Sequence, residues 1–230
     1  MTREPTSFHQ TRFQPPAGST EVILVRHGAS AAFTPGEEFA MLDGQGDPPL
    51  APDGLRQAEL VGERLAGEPI DAIYVSTMQR THQTAAPLAS RVGLEPIVDA
   101  DLREVALGDW EGGLLRQMAA QMHPTYLEMR AKGRWDVIPN AERTEDFAGR
   151  TTGAVARIAE RHRDDLAVVV CHGGVIAAIC AHATGGRPFS LGGADNGSIS
   201  HLVITDEQWI LRSFNDSSHL YPRISLRGGA

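Results

Sequence analysis

VILVRHGAS, Val22 to Ser30, decides how the rest of the chain is read. Val22–Val25 is apolar and mostly β-branched, which suits a buried strand. It runs without a break into Arg26 and His27, side chains that are costly to bury, and then into Gly28. A strand that delivers basic groups to a cleft would end this way. Two further apolar runs repeat the pattern: Ala72–Val75 leads through Ser76 to Arg80, and Leu166–Cys171 leads into His172, Gly173 and Gly174.

Continuous apolar strands are buried on both faces, so helices should cover them. Leu55, Ala58, Val61 and Leu65 form one helical stripe, and Phe147, Thr151, Ala154, Val155 and Ile158 form another. Helices are also expected over 113–130, over 174–183 and, despite Pro87, over THQTAAPLASRV. Pro96–Val98 is a weaker strand, and SISHLVI and WILRSF flank the turn Thr205–Gln208 as a closing hairpin. The pattern predicts an α/β protein, a three-layer α/β/α sandwich around a mixed, mostly parallel sheet.

Parallel strands would place all three basic clusters along the carboxyl edge of that sheet, where open α/β sheets bind ligands. Successive strand residues point to opposite faces, so Arg26 and His27 converge only if the chain turns, and Gly28 is expected to permit the turn. Gly173 and Gly174 should let the backbone approach a ligand at a helix start, whose free N–H groups favour anions. Arginine forks, imidazoles and a helix N-terminus converging together describe a phosphate site.

The 230 residues suit one domain; 41% are hydrophobic and 22% charged. A net charge of −8 argues against a nucleic-acid partner, and no apolar run approaches the length of a membrane helix. Cys171 and Cys180 lie in apolar runs and read as buried thiols. With no secretory leader in MTREPTSFHQTRFQPPAGST, a cytoplasmic protein is expected. Residues 1–20 and 223–230 read as flexible tails around a single domain over 21–222. The histidines at 82, 123, 162, 182, 201 and 219 show no metal-ligand spacing and read as structural or solvated. Arg103 and Arg143 are expected on the surface.

These motifs together resemble the histidine phosphatase superfamily, the phosphoglycerate mutase-like proteins. LVRHGAS resembles the nucleophile motif, GQGDPPLAPDGLRQAE the substrate loop and first helix, and VSTMQRTHQTA the second-arginine motif. LREVALGDWEG resembles the acid segment, VVVCHGGVIAAI the second-histidine motif, and NGSISHL with NDSSHL the closing hairpin. The order is the family's, and the matches span Val22 to Leu220.

The resemblance implies that His27 is the nucleophile and that Glu104 is first general acid, then general base. It also implies that Arg26, Arg80 and His172 hold the phosphoryl oxygens. Gly173, Ser30 and Gln45 are added as phosphate- or substrate-binding residues. Neither metal nor cofactor is implied, and the partner is a small phosphorylated substrate; self-association is left open. Holding His27 neutral among cations requires its proton on the non-attacking nitrogen, facing a backbone carbonyl. Glu104 must start protonated, through burial near Trp110 or through an anionic substrate.

Four departures bear on substrate choice. Ala29 stands where an acidic or amide residue is usual, and Phe33 where the family has a phosphate-contacting Asn, a contact that Ser30 could replace. The segment AAFTPGEEFAML is longer than expected, and PNAERTE stands where relatives show PGGES. Mutases of the family usually carry HGNS and a longer basic insertion; HGGV and a modest 113–165 segment favour a phosphatase. The alternatives are mutase-type phosphoryl transfer and a catalytically idle scaffold that binds phosphorylated ligands.

Overall fold

A computed structural model describes residues 9–37 and 39–221. The whole of the expected C-terminal tail, 223–230, and residues 1–8 of the N-terminal one lie outside the described residues. The first strand, β1 (Thr20–Arg26), starts one residue inside the stretch read as tail, and both Ser19 and Thr20 are buried. A two-stranded antiparallel ribbon, β2 (Met41–Leu42) and β3 (Gln45–Gly46), precedes helix α1 (Pro52–Leu65). Then come β4 (Ala72–Val75), α2 (Gln79–Val92), β5 (Ile97–Val98), α3 (Leu114–Ala120) and α4 (Pro124–Lys132). The chain continues through α5 (Thr144–Arg161), β6 (Leu166–Cys171), α6 (Gly173–Thr184), β7 (Ile199–Ile204) and β8 (Trp209–Asp216).

The main sheet has the order β5-β4-β6-β1-β7-β8. Its first three pairings are parallel, and the closing hairpin is antiparallel. Alternate residues of the central strands build two separate cores. Ile23, Val25, Ile73, Val75, Val168 and Val170 pack on α1 and α2 through Val61, Leu65, Ala85 and Leu88. Val22, Leu24, Tyr74, Val169 and Cys171 pack on α5 and α6 through Phe147, Val155, Ile158, Ile176 and Ile179. The fold is therefore the expected three-layer α/β/α sandwich, and each fully buried aliphatic side chain contributes roughly 1.5–3 kcal/mol. Cys171 faces this second core, as expected, and burial pushes its thiol well above the usual range.

Several local expectations are corrected. The stretch 113–130 is two helices: the chain breaks at Met122, where φ is +51°, and restarts with Pro124 in the first turn of α4. Proline suits a first turn, where its missing N–H costs nothing. As expected, by contrast, α2 runs through Pro87, which packs close to Gly62 of α1. Leu55 is 50% exposed, so the α1 stripe begins at Ala58. No helix among the described residues is long and apolar enough to cross a membrane.

Candidate active site

Strand register levels the basic clusters. Arg26 of β1 lies beside Cys171 of β6, and Val75 of β4 beside Val170, so the three strands end within a residue of one another. Past those ends lies a cavity of about 280 Å³, lined by Arg26, His27, Ser30, Gln45, Arg80, Glu104, Arg116 and Asn196 among others. His172 stands behind this wall, fully buried, its ring centroid 5.1 Å from that of His27. Gly173 packs against the Arg26 guanidinium rather than lining the cavity.

The His27 ring is fixed by its own backbone. Nδ1 lies 2.7 Å from Gly28 O; a carbonyl only accepts, so Nδ1 carries the proton and Nε2 keeps its lone pair. Asn196 donates to His27 O at 2.9 Å, and Cys171 O accepts from His27 N at 3.0 Å. Burial, then Arg80 and Arg26, push the His27 imidazole well below its ordinary value and hold it neutral. His172 is held neutral in the same way, first by burial and then by Arg80 and His27. Its Nε2 lies 2.9 Å from Ser76 Oγ. That hydroxyl also accepts from Met78 N and lies 3.2 Å from Thr81 Oγ1; the tautomer in which it donates to Nε2 puts the His172 proton on Nδ1. Nδ1 has no partner among the described residues, and neither does Arg26 Nε. Buried donors seldom go unpaired, and an anion would satisfy both.

Gly28 serves a different end from the one expected. Its φ is not positive; a Cβ there would collide with Gly54 O in the first turn of α1. The glycine lets β1 and α1 meet at the site, where Thr84 and Gln57 accept from Gly28 N and Ala29 N.

Arg80 sits in the first turn of α2, buried, donating to Gly46 O at 3.2 Å and facing Asp47 at 3.5 Å. Asp47 also caps α2 by accepting from Gln79 N. Burial lowers the pKa of both Arg26 and Arg80, so an anion would restore what desolvation takes away. Glu104 is clamped from both sides: Oε1 accepts from Val105 N and Oε2 from Gly174 N, each at 3.0 Å. Its carbonyl accepts from Gln45 Nε2 and from Arg150.

Three neighbours escaped the sequence reading. Arg150 donates to the carbonyls of Asp101, Arg103 and Glu104 and grips both oxygens of Glu142, a residue of the divergent PNAERTE segment. Asn196 lines the cavity from the turn before β7, and Arg116 from α3. Ser30, expected to replace a missing phosphate contact, has its Oγ held by Arg116 at 2.8 Å. Arg143 is on the surface as expected, and Arg103 pairs with exposed Asp43. Five of the six outlying histidines have structural partners: the rings of His123, His162 and His182 meet those of Trp110, Tyr74 and Trp209 edge-on, His201 faces Glu21, and His219 bonds Gly197 O.

A buried neutral imidazole, ringed by guanidiniums at the carboxyl edge of a parallel sheet, is a site built for anion chemistry. Residues 22–217 match the model of the histidine phosphatase superfamily (branch 1), and the chain belongs to that family. It is 34% identical over 216 residues to phosphoglycerate mutase-like protein 4 of Arabidopsis thaliana, covering 91% of this chain and 90% of the relative. It is 31% identical over 205 residues to a metal-independent phosphoserine phosphatase of the same plant, covering 87% and 83%. Among solved structures, a mycobacterial glucosyl-3-phosphoglycerate phosphatase superposes with a TM-score of 0.72 at 29% identity, covering 86% of this chain and all of that one.

Proposed function

We propose that the protein is a metal-independent phosphomonoesterase, that the domain over 21–222 carries the activity, and that it works through a phosphohistidine on His27. The observation that carries this reading is the state of the His27 ring: neutral, protonated on Nδ1 against Gly28 O, and set among Arg26, Arg80 and His172.

In the first step the Nε2 lone pair attacks phosphorus and the bond to the alcohol oxygen breaks. Glu104 gives that oxygen its proton. In the second step Glu104 takes a proton from water, the new P–O bond forms, and the N–P bond breaks to release phosphate and the neutral ring. The barrier to phosphate-ester hydrolysis is lowered by positioning and by charge stabilisation. Arg26 and Arg80, which line the cavity, and His172, whose ring centroid lies 5.1 Å from that of His27, are assigned to supply both. A dianionic ester arriving beside Glu104 favours its protonated form. Gln45 holds the loop that carries Glu104. Free Cys171 and Cys180 suit a reducing compartment, in keeping with the cytoplasm.

The test is hydrolysis of p-nitrophenyl phosphate. Turnover is expected to persist in excess chelator and to fall roughly 10³-fold or more in His27→Ala. Turnover that survives His27→Ala, or that chelator abolishes, contradicts the reading.

A further inference from the structure

A third guanidinium faces the cavity, and the proposed cycle leaves it without a task. Arg116 projects from α3 and is tied down on three sides. One terminal nitrogen donates to Ala31 O at 2.6 Å, the other to Ser30 Oγ at 2.8 Å, and the plane lies over the Phe39 ring at 5.2 Å. Arginine at a protein surface ordinarily keeps its rotamer freedom; here that freedom is given up without an ion pair. Among the described residues no carboxylate lies within ion-pair reach of Arg116. Glu111, the carboxylate on the same wall, commits its two oxygens to the amides of Leu107 and Gly46. Desolvation and the field of Arg26 both work against the Arg116 charge. Two of its five N–H donors are used by the chain, and three remain.

Depth decides what those donors face. His27 and Arg80 are buried and His172 is fully so, whereas Arg116 is exposed at the mouth. An ester that enters phosphoryl-first leaves its alcohol at that mouth. We propose that Arg116, held by Ser30, Ala31 and Phe39, binds an anionic substituent on the leaving alcohol and so sets substrate preference. The inference rests on the phosphomonoesterase reading of the same cavity. The ligand chemistry is a carboxylate or a second phosphate.

The experiment compares kcat/KM within matched pairs of esters. Phosphoserine and phosphoethanolamine differ only in a carboxylate; 1,3-propanediol bisphosphate and its monophosphate differ only in a phosphate. The wild type is expected to prefer the anionic member of at least one pair, and the pair identifies the group. Arg116→Gln is expected to lower that ratio roughly 10- to 100-fold, with Arg116→Lys in between because it keeps charge but loses the fork. A wild-type ratio near one in both pairs, or an equal loss for both members, overturns the proposal. Wild-type protein that turns over aryl phosphate but shows no such preference sinks this inference alone; protein that hydrolyses no ester sinks the hydrolase reading beneath it.

Discussion

At Gly174 the room a Cβ would need is occupied by the Glu104 carboxylate, whose Oε2 also takes the Gly174 amide. A methyl group there leaves the helix backbone intact and displaces the carboxylate. Gly174→Ala is therefore expected to lower kcat about 100-fold, the scale of a 1 Å misplacement, with little change in Tm. A variant of unchanged kcat would show that the position of Glu104 matters little. A Cβ on the neighbouring Gly173 would stand 3.2 Å from Arg26 Nε, so each glycine of the pair makes room for a different charged group. At this scale Arg26, His27, Arg80 and His172 were legible because short motifs place them just past strand ends, whereas Glu104 was named only through the resemblance of its segment to a family motif. Arg116 and Asn196 were not. Their partners, Ser30 and His27, lie 86 and 169 residues away, and nothing local in GGLLRQM or DNGS announces the contact.

Among the elements, the loop after β5 carries Glu104 without regular structure long enough to fix it. Arg150 of α5 supplies the rigidity instead, spanning three carbonyls and the Glu142 carboxylate while lying over Phe147 at 4.9 Å. Lysine cannot reproduce that fork. Arg150→Lys is expected to lower kcat roughly tenfold or more with little change in KM. A change confined to Tm would make Arg150 purely structural. The central strands were readable because burial on both faces leaves uninterrupted β-branched runs. Helices α3 and α4 merged in the sequence because both carry apolar residues at compatible spacing; the positive φ at Met122 and the restart at Pro124 separate them. The β2–β3 ribbon, two residues a side, is too short to show a period.

For the whole molecule, the net charge of −8 contrasts with a pocket lined by three guanidiniums. Neutralising buried imidazoles is the other global consequence. In the unfolded chain a histidine takes up its proton near pH 6.5, whereas burial and Arg80 keep His27 and His172 from doing so in the fold. Below that pH the unfolded state binds more protons, so stability falls as pH falls; above it both states are neutral and these rings contribute no pH dependence. Each ring accounts for at most about 1.4 kcal/mol per pH unit. Urea midpoints are expected to decline from about pH 6.5 downward, and less steeply in His172→Gln. An unchanged slope in that variant would show that His172 titrates normally.

The most direct measurement traps the enzyme with a labelled phosphoester, quenches it into alkali, and locates the phosphoryl group by tandem mass spectrometry. The account predicts an acid-labile, alkali-stable phosphoryl group on His27, formed and lost at rates that match turnover. Turnover with His27 unmodified, or with the phosphoryl group on another residue, would contradict it.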